Sequence, residues 1–376
     1  MPAKADIVVL GGGVIGSAIA YNLARTGYDT LLIEKREIAS GASGGNLGQI
    51  SLFDRWEDWH LPLALESLEM YKFFARDFRI DYQETGGIIA LTSGEQVDFA
   101  EKLIKSFAAS GIKPRILEGK EINTVEPFLD SGSVYGVVYC PREGRVDPLA
   151  MTLMFLELGQ RYGLKVLTFT EVKGFKFTGL TIKRVLTDKG EIDTNLVINA
   201  AGAWAGEIAK LAGVTIPLKY HHGTAMVSQP VPRVIFGPVV GGGFLTREIL
   251  QTSSLRIGLA AVQTGHGSVI IGQATEEKEL NNKEVSLTGW QKTAQKFIRY
   301  FPMLKNLEII RVWTAVTPYS PDGFPVCGFS SKVPNLFTVA GFKGAFTTAP
   351  ALGAKVTELI QGRTSWPIKQ FSPDRS

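Results

Sequence analysis

The run Gly11-Gly-Gly-Val-Ile-Gly16 stands between an unbroken apolar stretch, Asp6-Ile-Val-Val-Leu10, and a segment in which Ile15, Ile19 and Leu23 recur at a spacing of four. The first pattern is that of a parallel strand buried on both faces, and the second marks one face of a helix. Gly27 falls where a helix C-cap belongs, and Thr30-Leu-Leu-Ile-Glu34 reads as a returning strand. Strand, glycine turn, helix and strand in this order predict a β-α-β unit that opens a dinucleotide-binding sheet.

The glycines divide the work of such a turn. Gly11 permits the tight bend, Gly13 lets the main chain approach a pyrophosphate, and Gly16 lets the helix lie close to the sheet. The helix N-terminus then offers free N–H groups and the positive end of its dipole to the phosphates. Glu34, eighteen residues after Gly16, is placed to accept both hydroxyls of the adenosine ribose. An acid there disfavours a 2′-phosphate, which argues against NADP and leaves FAD and NAD open.

The chain has 376 residues, long enough for two interleaved domains around a large core. With 45% hydrophobic and 20% charged residues and no low-complexity tract, nothing predicts disorder. The formal charge of +4 is dispersed rather than gathered in a basic stripe, which argues against nucleic acid as a partner. Cys140 and Cys327 lie 187 residues apart without a CxxC or a His-paired spacing, so neither zinc nor a disulfide framework is expected. No apolar run reaches bilayer length and the N-terminus enters a strand at once, so a cytoplasmic protein, at most peripheral to a membrane, is expected.

After Glu34 comes Lys35-Arg-Glu-Ile-Ala-Ser-Gly-Ala42-Ser43-Gly-Gly-Asn46-Leu47-Gly48, a loop of small residues that an NAD domain does not need at this point. It resembles the segment that wraps the pyrophosphate and flavin edge in the family of D-amino-acid oxidase and glycine oxidase, which are FAD enzymes. The resemblance runs almost the whole chain. Val197-Ile-Asn-Ala-Ala201-Gly202-Ala-Trp204 is similar to the family's returning strand and the turn beside which FAD passes, and Thr170-Glu-Val172 to the segment whose main chain meets the adenine. Pro321-Asp-Gly-Phe-Pro325, Asn335 to Gly341 and Phe346-Thr-Thr-Ala-Pro350 resemble its C-terminal flavin clamp.

On that resemblance the cofactor is FAD, held non-covalently, since no cysteine stands where sarcosine-oxidase-like relatives attach it and Cys327 falls beyond that region. The implied contacts are Gly11, Gly13, Val14, Ile15, Gly16, Glu34 and Lys35 in the first unit, and Ala42, Ser43, Asn46, Leu47 and Gly48 in the loop. Val172, Ala201, Gly202 and Trp204 follow, and Gly341, Phe342, Lys343, Gly344, Ala345, Phe346 and Thr347 complete the clamp. The clamp itself reads as a strand over 336–340 and a glycine-bearing loop. Pro350 is then a first-turn residue of a helix running to Leu359. A helix N-terminus there would stabilise an anionic reduced flavin.

The fold class expected is α/β, with a Rossmann-like FAD-binding domain of residues 1–84, 143–214 and 318–376. A substrate domain of antiparallel strands is expected over 85–142 and 215–317, where Gly87–Leu91 and Ser268–Gly272 are short strand-like runs. An amphipathic helix is expected over 61–78, its aromatics in the core.

The substrate side departs from the family. In glycine oxidase and its close relatives, the stretch matching Arg311-Val-Trp-Thr-Ala-Val-Thr317-Pro318 carries an arginine just before the proline that forks onto the substrate carboxylate; here it is Thr317. Two charge-assisted hydrogen bonds are lost by that change. Lys343, Arg247 and His222 are the candidates to position the substrate instead, with Arg247 following an expected strand over 243–246. Metal binding by His221-His222 is not expected, and His266 reads as a solvent-exposed hairpin residue. The strand Ser268–Gly272 has no lysine, in contrast to some oxygen-using relatives, which leaves oxidase and dehydrogenase both open.

The function implied is oxidation of the C–N bond of an amino acid or N-substituted amino acid by hydride transfer to flavin N5. The family includes glycine, sarcosine, D-amino-acid, proline and opine enzymes. A close variant is the catalytic β-type subunit of a heteromeric dehydrogenase, its electrons leaving through partner subunits. Other classes are oxidation of a hydroxy acid or glycerol phosphate, and a flavin-binding assembly subunit without activity.

Overall fold

A computed structural model describes residues 2–53, 59–107, 110–244, 254–282, 284–363, 366 and 369–375. Two eight-stranded sheets organise them. The first sheet runs β17 (Val326–Phe329), β18 (Leu336–Ala340), β11 (Gly190–Asn199), β1 (Lys4–Leu10), β2 (Thr30–Ile33) and β8 (Lys165–Leu167). β10 (Thr181–Thr187) and β9 (Val172–Thr178) extend it from β11 as an antiparallel pair. β1 pairs in parallel with both β2 and β11, and β18 joins β11 in parallel. These are the connections a β-α-β chain makes through crossover helices.

The second sheet runs β16 (Ile309–Tyr319), β12 (Lys219–Pro230), β15 (Ser268–Glu277), β14 (Leu255–Gln263), β13 (Val239–Gly241), β4 (Gly87–Leu91), β6 (Gly136–Cys140) and β5 (Arg115–Leu117). It is antiparallel as the sequence predicts, except that β13 lies parallel to β4. These two strands come from distant parts of the chain, so no hairpin dictates their sense. A small pair, β3 (Gln49–Ile50) with β7 (Gly144–Arg145), ties the glycine-rich loop after β2 to the start of α4 (Pro148–Arg161).

Helices α1 (Val14–Arg25), α2 (His60–Asp77), α4 and α7 (Ala345–Ile360) pack against one another over one face of the first sheet. Ile19, Leu23, Leu352 and Val356 meet Ile7, Val9 and Leu32 there. The other face, with Val8, Leu31 and Val197, is closed by Phe175, Ile182 and Ala209, from β9, β10 and α5 (Ala205–Leu211). On the second sheet, α6 (Leu287–Tyr300) covers Met226, Leu259 and Ile271 with Phe297 and Tyr300. α3 (Gly94–Ser106) sends Ala100 and Leu103 into the core that holds Tyr71 and Phe74 of α2.

Two expectations are corrected. Pro350 is not in the first turn of its helix: α7 starts at Ala345, and the proline lies inside it. The helix can start early because Gly344, its N-cap, takes the left-handed backbone conformation at φ 60°. A proline has no N–H, so the Phe346 carbonyl loses its helical donor; the buried Tyr71 hydroxyl donates to it instead. The Ala351 N–H, next in the helix, donates to Ser67 Oγ at 3.1 Å. The second correction concerns the start of the strand expected over 243–246: Gly242–Phe244 is a single 3₁₀ turn following β13, as suits a run of glycines without β-propensity, and 245–246 lie outside the described residues. Arg247 lies outside the described residues.

Candidate active site

The glycine turn has the shape its spacing predicts. Gly11 has φ 113°, and a Cβ on it would stand 2.4 Å from the Ala200 carbonyl oxygen. A Cβ on Gly16 would stand 2.1 Å from the Gly11 carbonyl oxygen, so the close approach served here is the helix's own return onto the turn. Gly13 is the N-cap of α1, which has neither a capping side chain nor an acid in its first turn. The helix therefore begins at Val14, Ile15 and Gly16 with its positive end unanswered by its own residues. Ser43 Oγ accepts the Val14 N–H at 3.0 Å and fastens the small-residue loop to this end.

Glu34 closes the far side. Its two oxygens accept the main-chain N–H groups of Gly12 and Arg36, each at 2.8 Å, which fixes the carboxylate while leaving a second lone pair on each oxygen. The Thr170 N–H reaches the Glu34 carbonyl at 3.0 Å, which sets Val172 beside the same edge. Lys35 pairs with Glu171 at 2.8 Å, an exposed pair worth little to stability. Gly202–Trp204 form a 3₁₀ turn after Ala201, and the Arg36 guanidinium lies 5.1 Å over the Trp204 ring.

The loop over 39–48, with Ala42 at its centre, is held between the glycine turn and the second sheet. The Gly48 N–H donates to Asn46 Oδ1 at 2.7 Å. Trp313 Nε1 donates to the Gly45 carbonyl at 3.0 Å, and a Cβ on Gly272 would touch Leu47 at 3.3 Å. At the other end Gly341 turns the chain with φ 78° into Phe342, Lys343 and Gly344, and α7 begins without a capping side chain or a first-turn acid. Thr347 Oγ1 accepts the Ser51 N–H at 3.2 Å, while the buried Glu143 carboxylate collects Ser51 Oγ, Leu52 N and Phe53 N at 2.8, 2.7 and 3.1 Å.

The register of β12 on β16 decides which side chains face this cradle. His221 stands opposite Thr317, Gly223 opposite Ala315 and Ala225 opposite Trp313. Side chains alternate along a strand, and Trp313 and Ala315 touch the 39–48 loop, so His221 and Thr317 share the face that looks toward it. His222 is opposite Val316 and Glu276 on the reverse face, which α6 covers. His222, which the sequence offered as a substrate-positioning residue, lies on the face turned away from the 39–48 loop. His222 is buried with burial pushing its pKa down, its ring beside the main chain of Lys278 and Glu279.

Around His221 is a cluster that sequence spacing did not assemble. Its ring stacks on Tyr319 with centroids 3.8 Å apart, and its Nε2 lies 2.5 Å from Arg256 Nη2. Lys343 Nζ is 5.6 Å from the centre of the same Tyr319 ring. Burial, then the Arg256 and Lys343 charges, hold His221 down at about 3, so it is neutral at pH 7. A guanidinium has no acceptor, so Nε2 is the unprotonated nitrogen and the proton sits on Nδ1. Glu277 accepts from the Tyr319 hydroxyl and pairs with Lys219 at 3.2 Å. Tyr319 was findable: it follows Thr317 by two on one strand and so shares its face. Arg256 was not, because its strand has no sequence link to β16.

The residues from 6 to 359 match the family model described as FAD dependent oxidoreductase, DAO. The chain belongs to this family. It is an FAD-dependent oxidoreductase whose mixed α/β fold is that of its structural neighbours. It is similar to the crystal structure of L-proline dehydrogenase from P. horikoshii, with a TM-score of 0.90, 30% identity, and 99% of this chain and 98% of that one covered. It is 27% identical to hydrogen cyanide synthase subunit HcnC of Pseudomonas aeruginosa, over 96% of this chain and 93% of that protein. It is 26% identical to glycine oxidase of Geobacillus kaustophilus, over 100% and 98%. Of the mitochondrial dimethylglycine dehydrogenase of Rattus norvegicus, 24% identical, it spans 45%. No described helix is long and apolar enough to cross a membrane, and no group of three or more metal-ligating side chains occurs among the described residues.

Proposed function

We propose that this chain oxidises the C–N bond of an amino acid or N-substituted amino acid. The observation that carries the reading is the wall presented to the cradle by β12, β14, β15, β16 and the Lys343 loop. It holds two cations, Arg256 and Lys343, a neutral imidazole, and one acid, Glu277, already engaged by Lys219 and Tyr319. Such a wall attracts a carboxylate. It also lowers the pKa of an adjacent amine, and only a neutral amine has the lone pair that assists hydride loss from its carbon. The names of two relatives point the same way, L-proline dehydrogenase and glycine oxidase.

In this reading residues 1–84, 143–214 and 318–376 hold the cofactor, and 85–142 with 215–317 hold the substrate. The uncapped N-termini of α1 and α7 and the Ser43 hydroxyl fit the cofactor's anionic parts, and Glu34 fits its ribose. Ser320 Oγ, buried without a partner near Gly341, is a further polar atom that a bound group would satisfy. FAD, when bound, supplies the two-electron acceptor; the protein's share is to bind, orient and desolvate the substrate. Both cysteine thiols are buried in strands, which supports non-covalent binding.

The test is an anaerobic screen of amines, amino acids and hydroxy acids for loss of flavin absorbance in the purified holoprotein. Bleaching by an amino acid is expected; bleaching by hydroxy acids alone overturns the reading. The HcnC relative is named as a subunit, which favours a second feature: a catalytic subunit that passes electrons to partners. Purification from the native source tests it, since co-eluting flavin or iron–sulfur chains support it and a homo-oligomer that forms peroxide rejects it.

A further inference from the structure

We propose that Arg256 is the carboxylate anchor of this active site, taking over from the arginine that Thr317 replaces, and that His221 is its positioning residue. This rests on the proposed amino-acid substrate and adds to it which side chain reads the acid and how it is aimed.

Arg256 is on β14, opposite Thr275 of β15, which in turn lies opposite Gly223 of β12. Gly223 shares the parity of His221, Ala225 and the loop-facing side of β16, so the Arg256 side chain rises from the cradle-facing side of the sheet. Thr317 lies across β12 on that face, opposite His221. Arg256 therefore points toward the neighbourhood of Thr317 from β14, across the intervening β15 and β12. An arginine at 317 and one at 256 would approach the same space from opposite sides of His221.

The guanidinium is held but not neutralised. Among the described residues it has no ion pair, and its hydrogen-bond partner is His221 Nε2. One Nη2–H is spent on the imidazole, and a guanidinium has five N–H donors, so an edge with two parallel donors remains for a carboxylate. His221 can accept this bond because it is neutral, and it is itself fixed by its stack on Tyr319. Tyr319 is tied to Glu277 and carries Lys343 against its ring, so the anchor is coupled to the loop at the start of α7. Arg256 is half-buried, which keeps solvent from screening the contact completely.

The test uses the FAD-loaded full chain with sodium 2-furoate as a non-oxidisable carboxylate and 2-furamide as its uncharged counterpart, each titrated through the flavin absorption spectrum. Arg256→Met is expected to weaken furoate about 10- to 100-fold, the scale of charged hydrogen bonds, and furamide by less than twofold. His221→Phe, which keeps the stack and removes the acceptor, is expected to weaken furoate about 3- to 10-fold while His221→Asn restores part of the loss. Should Arg256→Met fail to load FAD, Arg256→Lys gives the reading, since a point charge without the fork is expected to lose about fivefold or more.

Equal furoate affinity in the wild type and a loaded Arg256 variant overturns the proposal, as does a wild type that shows no affinity for furoate. Furoate binding that depends on Arg256 in a protein whose flavin no amino acid bleaches leaves the anchor standing and removes the amino-acid reading.

Discussion

The Tyr71 hydroxyl donates to the carbonyl oxygen of Phe346, the acceptor that Pro350 deprives of its helical donor. One helix thereby completes the first turn of another, the turn proposed to face the cofactor. Tyr71 is fully buried and burial drives its pKa well up, so the hydroxyl remains a donor across the physiological range.

Tyr71→Phe leaves the buried carbonyl unsatisfied, which costs about 1–3 kcal/mol. Urea unfolding of the apoprotein is expected to show a loss of this size, and the holoprotein a weaker hold on FAD. Unchanged stability would mean that water or a relaxed helix replaces the tyrosine.

Gly16→Ala is expected to abolish FAD loading with the fold retained in outline, because its Cβ would stand 2.1 Å from the Gly11 carbonyl oxygen and push α1 off the turn. The ratio of flavin to protein after purification checks this, and a fully loaded variant refutes it.

His221 is held neutral in the folded protein down to about pH 3, whereas in the unfolded chain it protonates near its ordinary value of 6.5. The unfolded state therefore binds more protons between these values, and this residue's effect on stability falls as pH drops through that window. His221→Asn is expected to flatten the urea-unfolding profile between pH 4.5 and about 7. A profile as steep as that of the wild type would place the titration elsewhere.

Glu126 has the opposite sign. It is buried under the Phe236 and Gly237 N–H groups, and burial raises its pKa from 4.5 to about 7. The folded state holds a proton that the unfolded chain has released, so this residue stabilises at low pH and loses that effect as pH rises through 7. Glu126→Gln is expected to gain stability relative to the wild type at pH 8 and to gain less at pH 5. An equal effect at both values would show that Glu126 does not titrate in this range.

Much of the cofactor cradle was legible from residue order because its determinants are local. Gly11, Gly16 and Glu34 act through backbone geometry within a single β-α-β unit, and such geometry leaves its mark in glycine spacing and in runs of apolar residues. The parallel pairing of β1 with β2 follows from the same unit. Pro350 marks the limit of that kind of reading, since its tolerance inside α7 depends on Tyr71, 279 residues earlier in the chain.

The charged wall around His221 was decided by tertiary structure. Which of His221 and His222 faces the cradle depends on the register of β12 against β16, and a one-residue slip would exchange them. Arg256 meets His221 only because β14 and β12 flank β15, a juxtaposition that no periodicity within either strand encodes. Sequence alone determined a dinucleotide-type cofactor site, through turns and helix ends that are properties of short segments, and the resemblance of motifs along the chain named the cofactor as FAD. The charges proposed to receive the substrate came together only through pairing between strands far apart in the chain, because side-chain direction is a property of the sheet and not of the strand.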